Sequence, residues 1–176
     1  MAASLAQPLG KQHRMDPLEK LNALYRAMPP VAAMGVRAVE FDGQVLRLHA
    51  PLAANVNDKD CAFGGSLAGI MTLAGWGLLT LKLDAAGLPA DVYVADSHVR
   101  YLKPLYADLE AQACLDPEVD WDAVLRTYRE RGRARAATGR RMEDSAGLRT
   151  SVFMATAVAG AAHLALDLLA SRLPWT

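Results

Sequence analysis

The sequence predicts an α+β fold in which a curved antiparallel sheet wraps around one long central helix, and three observations carry that prediction. Residues 66–83, "SLAGIMTLAGWGLLTLKL", are apolar almost all round and too long for a strand, so they read as a helix enclosed by the rest of the domain. Three pairs of shorter runs have strand character. The order is helix, two strands, long helix, two strands, short helix, two strands, and a single sheet curling round the long helix is the simplest way to cover it.

Each element has a local cause. In "DPLEKLNALYRAM", Asp16 stands where a helix is capped, Pro17 takes the first helical position, and Leu18, Leu21, Leu24 and Tyr25 share one face. Pro29 and Pro30 should end it. In "AAMGVRAVEFDGQVLRLHAPL" two extended runs flank Asp42 and Gly43, a turn pair whose glycine accepts positive φ, so a hairpin is expected with Leu46 and Leu48 facing the core. Gly69, Gly75 and Gly77 weaken the long helix by about 1 kcal/mol each relative to alanine, a loss that close approach to the sheet would explain. "DVYVADSHVRYLKPLY" alternates and is rich in β-branched and aromatic residues, and "DLEAQACL" follows as a second strand beyond Pro104. A shorter helix should start at Asp116 and Pro117, bury Trp121, Val124, Leu125 and Tyr128 on one face and stop at Gly132. "RARAATGRRM" and "LRTSVFMATAVA", separated by the turn-like "EDSAG", supply the last strands, and "AAHLALDLLASRL" reads as one more helix. The expected organisation is a flexible tail over 1–15, one domain over 16–160 and a helical extension over 161–176.

Composition narrows the function classes. With 176 residues, 52% of them hydrophobic, the chain can bury a core as one domain without cross-links. Nineteen basic and nineteen acidic residues cancel, leaving no long-range field for a nucleic acid or an anionic membrane. Cys61 and Cys114 have neither the spacing of a disulfide framework nor that of a metal site, which suits reduced thiols in the cytoplasm. The opening residues lack the apolar core of a secretory signal, and the apolar run 67–81 is shorter than the roughly 20 residues of a membrane span. A soluble cytoplasmic protein without bound metal is expected.

Three segments in order, "NVNDKDCAFGGSLAGIMTLAGWG", "ADSHVRYLKPLYADLEA" and "RGRARA", resemble the hot-dog fold acyl-CoA thioesterases. Within that group the chain is most similar to the thioesterase domain also found at the C-terminus of the YiiD acetyltransferase. The likeness runs from about the first helix through Val158 and implies a homodimer, or a dimer of dimers, with sheets joined edge to edge and active sites at the seam. It also implies an acyl-CoA or acyl-carrier-protein substrate, coenzyme A entering only as part of that substrate. The strand over 93–103 would otherwise leave a row of backbone groups unpaired at an edge.

The resemblance places Asn57 at the family's asparagine and Phe63, Gly64 and Gly65 at its aromatic and glycine positions. Physical chemistry gives the glycines an independent reason. A helix N-terminus presents unpaired N–H groups and partial positive charge, and without side chains a thioester carbonyl could reach those of Gly65 and Ser66 as an oxyanion hole. Two positions depart from the pattern: Asp60 stands where the loop glycine is expected, and Thr72 where the helix usually carries a carboxylate. Asp58, and after it Asp96, could then activate water. His98, Arg100, Arg133 and Arg135, with Lys103, Arg140 and Arg141, are the groups that could meet the phosphates of coenzyme A, and Phe63, Met71 and Trp76 could line an acyl groove. The plainer readings are a tight turn for the glycines, turn hydrogen bonds or solvation for the aspartates and Asn57, a small loop residue for Cys61, core for the apolar three and solvated charge for the cations. "DSH" at 96–98 is not a nucleophilic triad, because a regular strand turns Ser97 away from Asp96 and His98. A binding module that has lost hydrolysis competes with the hydrolase, whereas a hydratase would need a histidine where Phe63 stands.

Overall fold

The computed structural model describes residues 16–99, 101, 103–142 and 149–158, with backbone alone for 96, 98, 139–142 and 149–158. Its elements are α1 (Pro17–Ala27), α2 (Pro29–Ala33), β1 (Arg37–Phe41), β2 (Leu46–Ala50), α3 (Gly64–Ala85), β3 (Ala90–Val99), β4 (Leu109–Leu115), α4 (Trp121–Arg131), β5 (Ala134–Met142) and β6 (Arg149–Val158). The strands form one six-stranded sheet in the order β1-β2-β4-β5-β6-β3, antiparallel throughout. Since α3 packs against β2, β3, β4, β5 and β6, and α1 covers it from another side, the enclosed-helix architecture is the one observed.

The core is built on α3. Ile70, Met71, Ala74 and Leu78 are completely buried among Leu21, Tyr25, Leu46, Leu48 and Leu109, so both inward-facing residues of the hairpin lie where their alternation places them. Gly77 explains one of the helix's weak positions: a Cβ there would stand 2.9 Å from a methyl of Leu46 and 2.3 Å from the Tyr25 hydroxyl. Close approach therefore involves α1 as well as the sheet. Tyr25 Oη donates to the Leu73 carbonyl at 2.9 Å, and burial pushes its phenol well above the usual range.

Several expectations need correction. Asp16 sits at the cap of α1, but its carboxylate makes no capping bond. Pro29 and Pro30 do more than end α1; their preset φ starts α2. The short helix begins at Trp121, because Asp120 accepts from the Ala123 amide at 3.0 Å, while Asp116 closes a separate turn by accepting from the Glu118 amide at 3.0 Å. Gly132 does end it, in the left-handed conformation at φ 65°. β3 stops at Val99 instead of continuing to 103. The length argument against a membrane span also fails, since α3 runs for 22 residues and is apolar enough to cross one; over half of it is buried inside the fold. The tail over 1–15, the turn over 143–147 and the extension over 161–176 lie outside the described residues.

One carboxylate pins the exit of β2 to the entry of β4. Asp108 accepts from the Leu52 amide at 2.8 Å and from His49 Nε2 at 3.1 Å, and these bonds, the amide's foremost, hold its pKa below the usual carboxylate range. A lowered folded-state pKa gives stability that is complete above the ordinary carboxylate pKa of about 4 and is lost as the pH falls through the lowered value. Asp108→Asn should therefore lower the urea midpoint at pH 7, and the gap to the wild type should close as both are titrated into acid.

Candidate functional site

The loop before α3 is a closed frame. Asn55 is buried; its Nδ2 donates to the Met34 and Pro51 carbonyls, both at 2.8 Å, and its own carbonyl accepts from the Phe63 amide at 2.7 Å. Val56 and Ala62 form a bridge, and the Ala62 amide donates to the Leu105 carbonyl at 2.8 Å, tying the loop to the segment after β3. Inside the frame Asn57 Oδ1 accepts from the Lys59 amide at 2.8 Å and its Nδ2 donates to Cys61 Sγ at 3.2 Å. Asp60 has φ 57°, which shows why a glycine would suit this position: it lies in the left-handed region, which aspartate tolerates better than most residues.

This frame delivers the chain into α3 with Phe63 at the cap. A phenyl ring cannot accept a hydrogen bond from the first-turn amides, and α3 has no side-chain cap. Gly65 is exposed, Ser66 is buried, and the Phe63 ring lies 2.3 Å from where a Gly65 Cβ would stand. Tyr101 flanks the other side, with its ring 3.5 Å from a Cβ at Gly64 and its Oη donating to the Gly64 carbonyl at 2.9 Å. The Gly64 carbonyl and the Gly65 N–H belong to one peptide unit. A hydroxyl bonded to the carbonyl polarises that unit and strengthens the N–H as a donor. The helix end thus offers an uncapped, side-chain-free amide between two half-exposed aromatic rings, suited to an oxygen that gathers negative charge. Tyr101 was not among the residues singled out for the site. The aromatic-basic-proline ending of its strand was visible, but its contact with Gly64 spans 37 positions of sequence.

The remaining candidates are only partly brought together. Asp58 pairs with Lys59 at 2.7 Å in solvent, and Asp60 is exposed. No hydrogen bond among the described residues joins Asn57 to a carboxylate. Thr72 is half-buried about 10 Å further along α3. Asp96 and His98 lie on edge strand β3, opposite Phe153 and Ser151, with exposed Ser97 between them; their side chains and Arg100 lie outside the description. Arg133 and Arg135 are exposed at the start of β5, away from the end of β3 that leads to Tyr101. Ala134 pairs with Thr156, which faces Val92 near the start of β3, whereas Val99 and Arg140 both pair with Thr150 at its end, and the six residues of β6 between these points put them about 20 Å apart. Met71 is core, and Trp76 is half-buried with Nε1 donating to the Val92 carbonyl at 2.9 Å, which leaves Phe63 as the exposed member of the apolar set. Two surface concavities, of about 260 Å³ over β1, β2 and β4 and about 310 Å³ at the far end of α3, do not include Gly64–Ser66.

A long helix wrapped by an antiparallel sheet is the arrangement of the hot-dog fold thioesterase-like proteins. The chain belongs to the family described as "Putative thioesterase (yiiD_Cterm)", which it matches over residues 18–156. Among solved structures it is similar to a protein of unknown function from Chlorobaculum tepidum, with 25% identity and a TM-score of 0.75, covering 80% of this chain and 93% of that one. It is also similar to a "putative thioesterase" from Shewanella oneidensis, at 25% identity and a TM-score of 0.72 over 80% and 97% of the two chains. A thioesterase from Haemophilus influenzae shares the fold at 16% identity, with a TM-score of 0.65 over 85% of this chain and 96% of that one.

Proposed function

We propose that the chain is a cytoplasmic thioester hydrolase acting on acyl-CoA or acyl-carrier-protein substrates as a homodimer. The observation that carries this reading is the first turn of α3, where Phe63 leaves the amides uncapped and Gly64 and Gly65 clear a path to them. The carbonyl oxygen would lie against the Gly65 and Ser66 amides, which stabilise the tetrahedral intermediate, with Asn57 orienting water or carbonyl. Asp58 or Asp96 would act as the base, since Thr72 can only hold a group by its hydroxyl. The dimer is supported by the edge position of β3 and its exposed Tyr93 and Val94. Pairing β3 with its twin in antiparallel sense would carry Arg133 and Arg135 of the partner subunit toward this subunit's helix N-terminus, where phosphates of coenzyme A would need them. The catalytic domain would span 16–160.

A second reading, acyl-thioester binding without hydrolysis, is favoured by Thr72 and by the engagement of both polar atoms of Asn57 within its own loop. Purified protein assayed on a panel of acyl thioesters should show turnover that falls about a hundredfold or more in Asn57→Ala. Saturable binding of a nonhydrolysable acyl-CoA analogue with no turnover on the panel would select the second reading.

A further inference from the structure

The groove at the far end of α3 lies between α1, the last turns of α3 and the start of β3. Its walls are largely apolar, with Leu21, Leu24, Leu81, Leu88 and Pro89, and Leu24 stands 40% exposed. Lys20 and Asp84, joined as an ion pair, mark one rim. Ala90 also lines the groove, and it pairs with Val158, the last residue of β6. Neighbouring strands are about 4.8 Å apart, so the chain leaves the sheet beside this groove.

Residues 159–176 follow, beyond the family match, which ends at 156. In this stretch His163, Asp167 and Ser171 recur every fourth residue, while Leu164, Leu166, Leu168, Leu169 and Leu173 fill the positions between. At helical spacing the three polar residues form one narrow stripe and the leucines, with Ala161, Ala162 and Ala165, cover most of the remaining surface, where Arg172 in the last turn is the one charge; such a pattern needs an apolar surface to lie against, with the end of the long Arg172 side chain reaching past it to water. We propose that residues 161–173 pack as a helix into the groove of their own subunit, with Ala159 and Gly160 making the turn from β6. The other end of the chain is the weaker occupant, because residues 1–15 hold only Leu5 and Leu9 as branched apolar side chains.

This inference is independent of the hydrolytic reading and is tested without an activity assay. Hydrogen exchange would be followed in the full-length wild type and in Leu24→Glu, a substitution at a partly exposed position that introduces a charge into the groove wall. Peptides covering 161–173 should be protected in the wild type and should lose about tenfold in protection in the variant, with α3 peptides unchanged. Coil-like exchange of 161–173 in the wild type, or equal protection in both proteins, overturns the proposal. So does protection that falls on dilution, which would mean docking on a second copy, or a loss confined to residues 1–15.

Discussion

Gly65→Val is expected to lower kcat for thioester hydrolysis about a hundredfold or more while leaving the unfolding temperature almost unchanged. The two effects separate because of where the new atoms go. Gly65 is exposed, and the nearest obstacle to a Cβ is the outer edge of the Phe63 ring, itself 54% exposed and free to swing into solvent. The fold therefore absorbs the substitution at little cost. The amide does not, because a branched side chain then occupies the approach that the glycine had left open, and losing one donor to the developing oxyanion is worth a factor of about a hundred to a thousand. Thermal melts beside steady-state kinetics check both halves. A variant with wild-type kcat would remove the helix N-terminus from the mechanism.

Gly77→Ala should do the reverse and damage stability directly. Its single added carbon meets the Tyr25 hydroxyl at 2.3 Å and methyls of Leu46 and Leu21 at 2.9 and 3.1 Å, all in fully buried side chains. Overpacking of this kind costs about 1–3 kcal/mol, and pushing Tyr25 off the Leu73 carbonyl leaves buried polar groups unpaired at about 1–3 kcal/mol more. Alanine's better helix propensity returns about 1 kcal/mol, so a net loss of about 2–4 kcal/mol is expected in chemical denaturation. Gly69→Ala is the internal comparison. Its Cβ would touch only the flexible end of Met34, at 3.3 Å, and the same assay should find it close to neutral.

The sequence was most readable where the cause of structure is local. The alternation of the hairpin, the uniform apolarity of α3 and the left-handed stop at Gly132 each depend on neighbouring residues, and each is found in place. Asp116 shows that a local signal can also mislead: with Pro117 it reads as a helix start, yet its carboxylate closes a turn to the Glu118 amide and the helix starts behind Asp120, which caps it by accepting from the Ala123 amide. At the site, the spacing of Phe63, Gly64 and Gly65 was visible, while Tyr101 required knowing which strand ends above them. Arg133 and Arg135 were selected by chemistry alone. The strand register then puts them about 20 Å from the end of β3 that leads to Tyr101 and Gly64, a separation that chemistry alone does not reveal.

The order of the sheet also bears on how the chain is made. α3 is complete at Ala85, yet β4, which sits between β2 and β5 and covers the helix, ends only at Leu115. Ribosomes add about 5–20 residues per second, so an apolar helix emerges about two to six seconds before the strand that closes over it. Through that interval it is greasy enough to attract a membrane or an aggregate. Cells that make this protein in quantity should need a chaperone at the ribosomal exit to shield the nascent chain.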